Sequence, residues 1–220
     1  MLKKCRKLLF FWYNKTMKTI LVPVSCPNCG HEAYVKSEQF IIPEFHQKHR
    51  EAILDGSFFQ YRCPVCRTAI ECIHDCVYHD HARHLLLILK RQGNEKEIVV
   101  ETVEPIQRLV RTPLQLRETI RIFEDHFHDV PMSDLKARLL AQFKSRGCRL
   151  LSISYHDFDE PNKLLWFEVM NDHQQIDYRA VSLKYYEAAR QRTSSIIDDT
   201  VLQEVTITNV MKRVNLIKND

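Results

Sequence analysis

A chain of 220 residues, 45% hydrophobic and 27% charged, suffices for one large or two small domains and has an ordinary globular composition. Four glycines, and neither GxGxxG nor GxxxxGKS/T, argue against nucleotide binding through phosphate loops. The formal charge of +4 rests on Lys3, Lys4, Arg6, Lys7 and Lys15; without these five cations it is −1, so global charge points to no class of partner.

Residues 1–16 form a basic-hydrophobic tail without an acid. Its apolar run, Leu8 to Tyr13, is far short of the roughly 20 residues that span a bilayer. It is also shorter than a signal-peptide core, and no small-residue cleavage site follows. Met17 opens "MKTILVPVSCPNCG", so the tail is expected to be either a mis-assigned start or a segment able to lie on a membrane surface. The chain is expected to be cytoplasmic, with no transmembrane segment. In a reducing compartment, eight cysteines are expected as metal ligands and free thiols rather than disulfides.

"KTILVPV" reads as a strand entering the first CxxC. A helix is expected over about 43–54, with Pro43 in its first turn and Gly56 just beyond its end. "SFFQYRC" reads as a strand into the second CxxC, "TAIECIHDCVYH" as one continuous strand out of it, and "HLLLIL" as another. The charged stretch from Lys90 marks a linker over 90–104. It separates a domain at 17–89 from a second at 105–220. Beyond it, "VEPIQRLV" is a short strand. Thr112, Pro113 and Gln115 form a capping box for a helix with its apolar stripe at Leu116, Ile120, Phe123 and Phe127. Ser133 is expected to start a second helix that Gly147 ends, and Ser182 to cap a third. Three strands lie between them, in "CRLLSISYHDF", "KLLWFEVMND" and "QIDYRAV".

Cys26-Pro-Asn-Cys29-Gly and Cys63-Pro-Val-Cys66 are like motifs 33 residues apart, each preceded by a strand-like segment. A CxxC turn brings two thiolates close enough for one ion, and two such turns make a four-thiolate closed shell typical of structural zinc. One zinc per chain is therefore expected at Cys26, Cys29, Cys63 and Cys66; iron, held by similar knuckles in rubredoxin-type sites, is the alternative. Cys72 and Cys76 alternate with Ile73 and Asp75 as on a strand. There they would lie about 13 Å apart at ~3.3 Å per residue, too far for one ion, so they are expected as packed thiols. Cys5 and Cys148 have no spaced partners. His79, His81 and His84 cluster around Asp80 in a turn and form the one candidate for acid–base or metal chemistry, weighed against a solvated turn. His126 and His128, beside Asp125 and Asp129, read as a helix end. No nucleophile–histidine arrangement is legible.

The order CPNCG, "EAILDGSFFQYRCPVC", then Tyr78-His79-Asp80 resembles the CpXC family of bacterial and archaeal proteins. The resemblance covers residues 19–89 well and 106–200 more loosely, through "RTPLQLRETIRIFEDHFHD" and the strands after it. It implies a zinc ribbon with an inserted helical segment, with Cys26, Cys29, Cys63 and Cys66 at the family cysteines, and no particular activity. Arg67 departs from the glycine frequent there, which bears on the geometry of the second knuckle.

The expectation is an α+β protein: an N-terminal zinc ribbon with an inserted helix, then a small antiparallel sheet packed with about three helices. A closed thiolate shell leaves no position for water, so a non-enzymatic role in protein–protein interaction comes first. Weak nucleic-acid binding is the alternative. It would use Arg83, Lys90, Arg91, Lys96, Arg108, Arg111, Arg117 and Arg121, although Glu95, Glu97, Glu101, Glu104 and Glu118 interleave with them. An enzyme using His79–His84 comes third. Oligomeric state is not legible.

Overall fold

The computed structural model describes residues 19–91, 106–199 and 202–218, the last three as backbone only. The chain divides into two compact units, Met1–Leu116 and Arg117–Asp220.

In the first unit, β1 (Thr19–Ser25) and β2 (Glu32–Glu38) pair antiparallel around the first CxxC, from Thr19↔Glu38 to Ser25↔Glu32. Around the second CxxC, β4 (Gln60–Arg62) pairs with β5 (Ala69–Glu71). Between the two hairpins lie β3 (Phe40–Ile41), α1 (Gln47–Asp55) and a 3-10 turn at Ser57–Phe59. A four-stranded sheet follows in the order β3-β6-β7-β8, with β6 (Cys76–Asp80), β7 (Leu85–Leu89) and β8 (Ile106–Val110). The β6–β7 pair is antiparallel; β3–β6 and β7–β8 are parallel. Every residue of β6 and β7 is buried, which is why "LLLIL" reads as an unbroken apolar run and not as an alternation.

Four sequence expectations change here. The helix begins at Gln47, not at 43, with Pro43 in the preceding turn; Gly56 does cap it, at φ 86°. The hairpin partner β2 was not expected. The single strand over 68–79 is broken: it pairs at Ala69–Glu71, has no element over 72–75, and resumes at Cys76. At the break the Cys72 N–H donates to the Phe59 carbonyl (2.7 Å) and the Arg91 N–H to Asp75 Oδ1 (3.1 Å). These bonds to loops replace a ladder. Finally, β8, expected to open the second domain, is the edge strand of the first unit's sheet, and the division falls after Leu116. Of the expected 90–104 linker, residues 92–104 lie outside the described residues, as does the 1–16 tail.

Helix α2 (Pro113–Glu124) runs across the division. Thr112 Oγ1 accepts the Gln115 N–H (3.1 Å) as in a capping box, but Gln115 Oε1 reaches back to the Arg111 N–H (2.7 Å), one residue before the cap.

The second unit holds α3 (Asp129–Ser145), the antiparallel sheet β9 (Leu150–Asp159), β10 (Leu164–Asn171) and β11 (Ile176–Ser182), then α4 (Leu183–Thr193) and α5 (Ile207–Lys218). Sheet order is β11-β10-β9. Its core joins Ile122 of α2, Met132 and Leu135 of α3, Ile153, Tyr155, Leu165, Phe167 and Val169 of the sheet, and Tyr186 and Ala189 of α4. Phe167 is fully buried and Trp166 only half, as the two faces of a strand require. Helix α3 starts four residues before the expected Ser133 cap. His128 caps it instead, Nδ1 accepting the Val130 N–H (3.2 Å), while the His128 N–H donates to the Tyr186 hydroxyl (2.8 Å). Ser182 occupies the N-cap of α4 without a side-chain capping bond. The mixed α+β class with small antiparallel sheets is as expected.

Candidate metal centre

Each CxxC is built by the same backbone bonds. The Cys26 N–H donates to the His31 carbonyl (2.8 Å) and the Gly30 N–H to the Cys26 carbonyl (2.9 Å). In the second knuckle Cys63 donates to Thr68 (2.9 Å) and Arg67 to Cys63 (2.9 Å). Closing that turn needs a left-handed residue at the fifth position: Gly30 at φ 70°, and Arg67, despite its side chain, at φ 63°. The substitution of glycine by Arg67 thus leaves the bond pattern of the knuckle intact.

The two knuckles meet. Cys26 Sγ lies 3.4 Å from Cys66 Sγ, Cys29 Sγ lies 3.6 Å from Cys63 Sγ, and all four sulfurs are within 4.8 Å of one another. A tetrahedral ion with metal–sulfur bonds of about 2.3 Å needs sulfurs about 3.8 Å apart, so the four could hold a metal ion with little movement. Cys26 and Cys63 are buried against Ile70, Val24 and Tyr61, while Cys29 faces solvent.

The thiols are not equivalent. Cys66 is drawn down to about 5, first by the Thr68 hydroxyl (3.2 Å away) and the Thr68 N–H, then by the Asn28 side chain from the opposite knuckle. On Cys29 the His31 N–H pulls in the same direction. Desolvation and the thiols of Cys66, Cys26 and Cys63 outweigh it, leaving Cys29 pushed up to about 12. Thr68 and Asn28 are the residues that sequence reading missed. Their only signal was a hydrogen-bonding side chain within, or two positions after, a CxxC.

The CpXC protein family profile matches residues 24–133, half of the chain, including all four of these cysteines. The chain belongs to the CpXC family. No curated protein and no solved structure matches it.

Elsewhere in this CpXC chain the other candidates disperse. Cys72 and Cys76 are buried, and desolvation raises both thiols; neither joins a potential metal-holding group among the described residues. The His79–His84 cluster makes no such group either. The His79 and His81 rings lie 3.9 Å apart between centroids, tilted by 48°, His84 takes φ 52° in the turn, and buried Asp80 accepts from the Arg83 N–H (3.0 Å) and guanidinium (2.9 Å). That is the bonding of a structured turn. Four of the candidate basic residues are engaged within the fold, Arg83 through Asp80. Arg108 is 1% exposed, Arg111 reaches the Lys90 carbonyl, Arg121 donates to His156 Nδ1 (3.2 Å), and Lys96 lies outside the described residues. Glu118 is buried on Lys136 (2.7 Å). Among the described residues no helix is long and apolar enough to cross a membrane.

Proposed function

We propose that this CpXC protein is a non-enzymatic binding or regulatory protein of a reducing cytoplasm, folded around one structural zinc held by Cys26, Cys29, Cys63 and Cys66. The supporting observation is the convergence of four sulfurs from two matched knuckles within 4.8 Å. An all-cysteine donor set favours zinc or iron over hard cations, and among the described residues nothing else suggests electron transfer. Four protein ligands close the shell, so the ion supplies folding energy and not an activated water. Its apparent binding energy, about 10–16 kcal/mol in small zinc peptides, becomes folding energy for the first unit.

Protein contact is the favoured use. The outer face of the β1–β2 hairpin presents Leu21 and Tyr34, 65% and 74% exposed, and the second knuckle presents Val65. The engaged state of Arg83, Arg108, Arg111 and Arg121 makes nucleic acid the weaker alternative. Metal analysis of purified protein should find about one zinc per chain, and a chelator or Cys63→Ser should melt the first unit. A fold retained without metal overturns the structural role, and iron in its place overturns the zinc. Association captured from native cells should survive nuclease and be lost in Tyr34→Glu. Nuclease-sensitive capture with nanomolar nucleic-acid affinity would reverse the order of the two readings.

A further inference from the structure

The three-stranded sheet of the second unit treats its two edges differently. Along β9 the outward Tyr155 N–H donates to Glu118 Oε1 (2.7 Å), whose carboxylate also holds Lys136, so a side chain of helix α2 caps that edge at Tyr155. Among the described residues, nothing comparable lies along β11. The flanking bonds Asn171 N–H to Gln175 carbonyl and Leu183 N–H to Lys163 carbonyl bracket the β10–β11 register. Antiparallel bonding repeats every second residue, so Asp177, Arg179 and Val181 turn their backbone groups toward β10. Ile176, Tyr178 and Ala180 turn theirs outward. Among the described residues the one bond given by an outward amide here is local, Tyr178 N–H to Asp177 Oδ1 (2.8 Å). The strand is exposed from Ile176 through Ala180, including the apolar Ile176 (58%) and Tyr178 (45%). An open edge of this kind is a template for another strand.

We propose that β11 pairs antiparallel with β11 of a second copy of this chain, about a two-fold axis at Tyr178, joining the two sheets into one. The charges on the strand specify this occupant and register. With Tyr178 opposite the partner's Tyr178, Asp177 faces the partner's Arg179, and Arg179 faces the partner's Asp177. These fall at non-hydrogen-bonded positions, where side chains approach most closely. Ile176 faces the partner's Ala180 on the other face. The outward groups of Ile176, Tyr178 and Ala180 then all meet backbone partners. Asp177 and Arg179, which pair within one strand, exchange that contact for the cross-strand one. Centring the axis on Asp177 or on Arg179 instead sets like charges opposite each other, which is unfavourable. An antiparallel copy of the same segment answers both charges at once.

Sedimentation equilibrium of the full, metal-loaded chain over a hundredfold concentration range tests this. The expected result is a monomer–dimer equilibrium. Asp177→Arg and Arg179→Asp should each weaken it roughly tenfold, and the double exchange, which restores opposite charges across the axis, should recover it. Both side chains are more than half exposed, so circular dichroism and melting should be unchanged in all three variants. In the unaltered protein, hydrogen exchange at the Ile176 and Ala180 amides should slow as concentration rises. A monomer throughout, single variants that associate like wild type, or a double exchange no better than the singles would each overturn the proposal. None of these readouts depends on the identity of the metal.

Discussion

Arg67 holds a φ of 63° at the place in the second knuckle where Gly30 holds 70° in the first. Each closes its turn with the same bond, an N–H to the carbonyl of the leading cysteine at 2.9 Å. The left-handed conformation costs an L-residue roughly 1–2 kcal/mol, part of which glycine regains as greater freedom in the unfolded chain. Arg67→Gly should therefore stabilise the metal-loaded first unit by about 0.5–1 kcal/mol in denaturant titration. Gly30→Ala should cost about 1 kcal/mol, from backbone strain alone, since a Cβ there meets nothing within 4 Å.

The Thr68 hydroxyl, 3.2 Å from Cys66 Sγ, should tune metal retention. Thr68→Val keeps the shape and removes the hydroxyl. Outer-shell losses of this kind typically lower affinity 10–100-fold, and the lower end is expected because the Thr68 N–H still supports the sulfur. Competition with a chromogenic chelator measures it.

Cys72→Ala with Cys76→Ala should leave the metal content unchanged. Both are buried thiols outside the four-sulfur cluster, so the expected loss is packing, about 1 kcal/mol each. Elemental analysis of the double variant that shows metal lost would assign one of them to the site.

The buried pair of Glu118 and Lys136 (2.7 Å) also holds the Tyr155 N–H. Lys136→Met leaves a buried carboxylate without its cation and should cost about 3–5 kcal/mol in the second unit. Glu118→Leu with Lys136→Met should cost less than the sum of the single changes, which a double-mutant cycle by thermal unfolding would read.

His156 is held below its ordinary value, first by burial and then by Arg121, which donates to its Nδ1. Folded and unfolded states differ as pH falls below about 6.5: the unfolded chain takes up a proton that folded His156 refuses. The stability this neutral ring contributes is present above that pH and is lost below it. His156→Gln preserves an acceptor for Arg121 and should make the second unit's stability less steep between neutral and mildly acidic pH. An unchanged slope in equilibrium unfolding would contradict the assignment.

What the sequence by itself determined is what short-range chemistry closes. A CxxC brings its two thiols together within one turn, so Cys26–Cys29 and Cys63–Cys66 were legible as two matched pairs. Gly56 and Thr112 marked helix ends through bonds that span three or four residues, and the strands at 150–159, 164–171 and 176–182 showed in their turns. What only the tertiary structure decided depends on partners distant in sequence. The break at 72–75 exists because Cys72 finds the Phe59 carbonyl and Asp75 finds Arg91. β8 belongs to the first unit because its backbone pairs in parallel with β7, and a parallel partner leaves no turn signature. α3 is capped at His128 and not at Ser133, with Tyr186 accepting the His128 N–H from 58 residues away. The meeting of the two cysteine pairs is of this second kind: local turns prepare each half, and only the folding of residues 30–62 between them brings Cys26 to Cys66 and Cys29 to Cys63.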